Sequence, residues 1–141
     1  MKKRRGVLLA ALALPFVIQL VPYGRAHSNP PVVKEPSWNQ PATRELAVRA
    51  CFDCHSNETK WPWYAHVAPM SWLVQHDVDD GRKHLNFSEW QKKYRHAKDA
   101  AEVVTKGEMP LGIYLPLHAD ARLAPEETKA LADGLAATVE R

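Results

Sequence analysis

Five consecutive residues constrain this chain more than any others: Cys51-Phe52-Asp53-Cys54-His55. They hold both cysteines of the 141-residue sequence, so no thiol remains for a disulfide scaffold or for a four-thiolate zinc or iron–sulfur site. A thioredoxin-type dithiol follows a strand in a βαβ unit, whereas the residues before Cys51 read as helix. A zinc site needs a second pair of ligands, and none stands out. What the pattern does meet is covalent haem attachment. Cys51 and Cys54 would form thioethers with the two vinyl groups, and His55, next in sequence, would coordinate the iron. The expected cofactor is therefore one haem c with its iron.

Charge distribution bears on where such a chemistry takes place. The formal charge is +3, yet the first 26 residues contain five of the 19 basic residues and no acid. The rest carries 14 Lys and Arg against 16 Asp and Glu, a net of −2. That balance gives no hint of a nucleic-acid partner, which calls for a basic face on the folded domain. The basic residues Lys2, Lys3, Arg4 and Arg5 precede an apolar run, Gly6 to Val21, whose one strongly polar residue is Gln19. A basic flank before an apolar run orients the remainder across a bacterial membrane. Gly24-Arg25-Ala26 is a weak cleavage site, so an uncleaved anchor is favoured over a removed signal peptide. Either way the domain is expected to be exported: at the inner membrane facing the periplasm, or soluble in the periplasm after cleavage.

Pro30, Pro31, Pro36 and Pro41 then predict an extended spacer over 27–41. No run of alternating apolar residues marks a strand, and the remaining pattern is helical. Helices are expected over Ala42–Phe52, over Val67 to about Lys83, from Ser88 toward Lys106 with a Ser88/Gln91 capping box, and from Pro125 onward. Gly107 fits the left-handed position that ends the third of these. The domain organisation is thus a membrane anchor or signal segment (1–26), the spacer (27–41), and an all-α, cytochrome c-like haem-binding domain (42–141). An apolar N-terminal helix precedes it.

A second axial ligand for iron must come from Met70, Met109 or a histidine outside the motif. Met109 lies in Gly107-Glu108-Met109-Pro110, between a helix and an irregular segment, 54 residues after His55. That position suits presentation of a thioether, so Met109 is the expected distal ligand. Met70 reads as a packing residue inside a helix, while His76 and His118 are the competing histidines.

The residues Cys51-Phe-Asp-Cys-His-Ser-Asn-Glu-Thr-Lys-Trp-Pro-Trp-Tyr64, with Ala68-Pro-Met-Ser-Trp-Leu-Val74, Gly81-Arg82 and Leu85-Asn-Phe-Ser-Glu-Trp90, resemble the bacterial haem-binding domain family. These are small exported cytochrome c-like proteins with one C-x-x-C-H. The resemblance runs from about Ser28 to the final helix and implies haem attachment at Cys51, Cys54 and His55. It also places Met70 where relatives are expected to carry an aliphatic residue, and Ala124 where a capping Ser is usual.

Trp61, Trp63, Tyr64, Trp72 and Trp90 are expected to wall the haem pocket or to pack the core around it. The carbonyl of Trp61-Pro62 is a candidate acceptor for the second ring N–H of His55. Asn57, Arg82 and Asn86 are candidates to reach a haem propionate. Asp79-Asp80 and Glu126-Glu127 read as solvated helix faces. No nucleophile elbow and no phosphate-binding loop is present. The expectation is therefore a non-catalytic electron carrier, a monohaem c-type cytochrome serving redox partner proteins of a respiratory chain. The alternative is a haem-based sensor or peroxidase-like protein with an exchangeable sixth ligand.

Overall fold

The computed structural model describes residues 2–140. Two units divide the chain, one made of Met1–Ser28 and Trp61–Asp77, the other of Asn29–Lys60 and Val78–Arg141.

In the first unit, the apolar run forms helix α1 (Lys2–Val17) and a 3₁₀ turn at Ile18–Leu20. From Lys3 to Val17 every side chain is exposed. At 1.5 Å per residue its 16 residues reach about 24 Å, against the roughly 30 Å of a bilayer core. Among the described residues no helix is long and apolar enough to cross a membrane.

The chain after α1 is tied to the segment that starts at Trp61. The Gln19 side chain donates to the Ala68 carbonyl and accepts from the Ala68 N–H, both at 3.0 Å. His27 pairs a ring nitrogen with the Ala65 carbonyl at 2.9 Å, its ring lying 4.7 Å from Trp61 and 4.3 Å from His66. The helix expected from Val67 starts later, because Val67 is extended (φ −123°, ψ 118°) ahead of Ala68-Pro69.

The second unit contains α2 (Pro41–Ala50), the single turn α3 (Phe52–His55), α5 (Ala100–Thr105) and α6 (Pro125–Val139); helix α4 (Met70–His84) ends in it. Pro41 and Pro125 open α2 and α6 as first helical residues. Ala124 has no side-chain acceptor, but Glu127 closes half of the capping box by accepting from the Ala124 N–H at 2.9 Å. Helix α6 packs on α5 and on α2. Its Leu131 and Leu135 are fully buried with Ala47, Phe52, Phe87 and Val104, each Leu worth about 1.5–3 kcal/mol.

The expected helix from Ser88 to Lys106 is reduced to α5 and a 3₁₀ turn at Ala97–Asp99. Ser88 is occupied elsewhere: its hydroxyl accepts from the Asn57 N–H, and its carbonyl accepts from Val33 and Lys34. Those bonds outweigh the local capping signal. They also fasten the Pro-rich stretch, which is extended as expected yet more than a spacer. Trp38 within it lies 5.2 Å from the Phe87 ring. Glu35 accepts from Arg44 and from the Trp38 ring N–H, each at 2.7 Å. Among the described residues the only β pairing is one isolated bridge, Lys34 with Glu89.

Candidate functional site

Helix α2 runs into the cysteine motif, the Cys51 N–H donating to the Ala47 carbonyl at 2.8 Å. The Cys51 carbonyl then accepts from the N–H groups of Cys54 (3.2 Å) and His55 (2.9 Å), so one tight turn gathers the two thiols and the imidazole. No disulfide joins the cysteines. Burial, reinforced by Cys54, pushes the Cys51 thiol up to about 12.

The His55 ring is held from behind. Its Nδ1 lies 2.9 Å from the Gly81 carbonyl and 3.0 Å from that of Leu85, both on the C-terminal part of α4 or just after it. Carbonyls only accept, so Nδ1 carries the proton and Nε2 keeps its lone pair. Burial holds the imidazole below its usual range, opposed by these two bonds, and favours the neutral form that binds metal. Gly81 and Leu85 therefore hold the place expected for Trp61-Pro62. Residue 81 must be glycine: a Cβ there would sit 2.4 Å from the Cys54 carbonyl oxygen. The periodicity of α4 does not mark Gly81, although a glycine within a helical pattern is the signal of such an approach.

His55 and Cys51 line a cavity of about 270 Å³ whose walls include Met109. The rest of the wall is Ala50, Leu85, Phe87, Ala100, Val103, Val104 and Leu135, with His84, His96 and Asp99 as its further polar members. Met109 reaches it through the end of α5. There Gly107, at φ +70°, donates to Val104 and Glu108 donates to Val103, a Schellman closure, and the Met109 N–H also turns back to Val103. The expected left-handed glycine is thus in place, and with it the thioether on the cavity wall.

The other candidate ligands lie elsewhere. Met70 belongs to the first unit, exposed at the start of α4, and His76 is exposed. His118 stacks on Tyr114 at 3.6 Å and pairs with its carbonyl. Of the aromatic residues expected at the pocket or in the core, Trp61, Trp63, Tyr64 and Trp72 belong to the first unit, and Trp90, in the second, does not line the cavity. Trp63 is 79% exposed, and Trp90 stacks on Phe87 within the core.

Asn57, Arg82 and Asn86, the candidates for a propionate, form an internal network. Asn86 donates to the Asn57 side chain at 2.8 Å, Asn57 donates to the Pro31 carbonyl, and the Arg82 guanidinium donates to the Ser56 carbonyl, Asn29 and Thr59. They brace the loop after His55 against the turn of α4 that holds it. Asp53, between the cysteines, accepts from Tyr114 at 2.5 Å and from the Lys60 N–H at 2.9 Å. Spacing reveals neither bond, because each partner lies on another segment.

A neutral imidazole with an open nitrogen, two nearby thiols and a thioether on the wall of the same apolar cavity are the donor set of a haem site. Among the described residues no group of three or more His, Cys, Asp or Glu is placed to hold a metal ion, so the zinc reading gains no further ligands.

The fold and the donor set define a small helical haem-binding protein. A family model described as a haem-binding domain matches residues 13–137. The chain belongs to this haem-binding domain family. No curated protein and no solved structure matches it.

Proposed function

We propose that this chain is a monohaem c-type cytochrome that carries electrons in the periplasm. Cys51 and Cys54 hold the haem through thioethers, and His55 and Met109 bind its iron. The observation that carries this reading is the cavity shared by Cys51, His55 and Met109, with the His55 Nδ1 proton already committed to Gly81 and Leu85. Bound haem would supply one-electron chemistry at its iron, and an imidazole and a thioether from His55 and Met109 would be its protein ligands. Every other contribution is the protein's own. The two carbonyl bonds orient the imidazole and raise its donor strength, the apolar wall excludes water, and the Schellman closure holds Met109.

The chain is read as acting without catalysis, with respiratory-chain proteins as redox partners. Export rests on the basic flank and apolar run. A retained N-terminal segment is supported by Gln19, whose two bonds to Ala68 removal of residues 1–26 would break. The apolar stretch of α1 after Arg5, exposed along its length, suits contact with lipid.

Optical spectra of the full-length protein in both redox states, with and without carbon monoxide, test the assignment. Haem should survive acid–organic extraction, the ferric form should be low-spin with a weak long-wavelength sulfur-to-iron band, and carbon monoxide should bind slowly. Met109→Ala should abolish that band and open the site, while Met70→Ala should not. A high-spin wild type that binds carbon monoxide rapidly would favour the sensor or peroxidase-like reading.

A further inference from the structure

Three polar side chains at the cavity have no part in the function above. His84 ends α4, and His96 and Asp99 lie at the two ends of the 3₁₀ segment. They form one cluster: the rings of His84 and His96 meet edge to face at 5.4 Å, and His96 Nδ1 lies 3.0 Å from the Asp99 carboxylate. All three residues are exposed, so the cluster marks the side on which the cavity meets water. Apart from them, the wall is apolar or belongs to the cysteine, imidazole and thioether set.

We propose that His84 and His96 are the carboxylate-receiving edge of the site and donate hydrogen bonds to the propionates of haem. The proposal rests on the haem reading. Haem is an apolar plate with both carboxylates along one edge. An otherwise apolar cavity must therefore offer that edge water and hydrogen-bond donors. An imidazole N–H donates to a carboxylate oxygen, so the His84 ring offers one donor, and the His96 ring, held at Nδ1 by Asp99, offers a second when Nε2 also carries a proton. Asp99 then acts as a positioning residue for the His96 ring. In sequence the cluster is flanked by the exposed cations Lys83, Arg95 and Lys98, whose charge is of the sign that two carboxylates call for. Arg82, Asn57 and Asn86 are engaged in the network behind His55 and do not compete for this role.

Resonance Raman spectroscopy of the haem-loaded full-length protein near neutral pH reads this directly. The propionate-bending band of the wild type should lie at a hydrogen-bonded position. In His84→Ala/His96→Ala it should move to the position of haem carboxylates in water, and His84→Gln/His96→Gln, which keeps N–H donors, should restore it. The spin-state bands should be the same in all three proteins. If the double alanine variant is not recovered with haem, His84→Ala and His96→Ala alone should each move the band part of the way. A band at the water position in the wild type, or unmoved by the alanine substitutions, overturns the proposal. Absence of covalent haem from the wild type overturns the attachment reading instead.

Discussion

On one side of the cavity His55 is fixed by two backbone carbonyls, and behind them Asn57, Asn86, Ser88 and Arg82 form a partly buried polar network. Met109, also on the cavity wall, sits on a turn closed by backbone bonds alone, its side chain packed against apolar core. The difference is one of tolerance. A polar network penalises the loss of any member, because the partner left behind is buried and unsatisfied. Apolar packing accepts shape-preserving exchange at small cost. The imidazole side should therefore be rigid and intolerant, and the thioether side adjustable.

The sharpest break of that contrast comes from two glycines. Gly81→Ala drives a Cβ into the Cys54 backbone, where no flexible side chain can move aside. It should cost about 3 kcal/mol or more in urea unfolding and lower haem content. Gly107→Ala meets nothing within 4 Å and bears only the strain of its positive φ, so about 1 kcal/mol is expected. Equal losses at the two sites would dissolve the contrast.

A smaller difference separates Asn86→Ala from Met109→Leu. The first leaves the buried Asn57 side chain without a donor and should cost about 2 kcal/mol. The second preserves volume and should cost under about 1.5 kcal/mol, while still removing the sulfur-to-iron band. Denaturation midpoints beside ferric spectra check both. A Met109→Leu protein as unstable as Asn86→Ala would show the thioether side to be equally intolerant.

The smallest effect concerns Glu35, whose carboxyl the Arg44 guanidinium holds below its ordinary value of 4.5. A lowered carboxyl pKa means that the folded state binds its proton less readily. Its stabilisation is thus present above pH 4.5 and lost as the pH falls below it. Arg44 is 42% exposed, so the whole effect should stay under about 1 kcal/mol. Arg44→Met should flatten the acid limb of stability against pH, and an unchanged limb would show the pair to be inert.

The sequence by itself determined what depends on neighbours along the chain. C-x-x-C-H fixed the chemistry of the site, because thiol and imidazole identities and their spacing are local. Pro125 fixed one helix start and Gly107 one helix end, since capping geometry is set within a few residues. Tertiary structure alone decided what those residues meet. The His55 proton goes to Gly81 and Leu85, 26 and 30 residues away, and not to the nearby Trp61-Pro62. Ser88 gives up its capping role because Asn57 and the Pro-rich stretch claim its hydroxyl and carbonyl. The tryptophans, alike in sequence, are divided between an exposed Trp63 and core-packed Trp38 and Trp90. A hydrogen bond or a buried ring is satisfied by whatever group the fold brings near, and chain distance does not limit that choice.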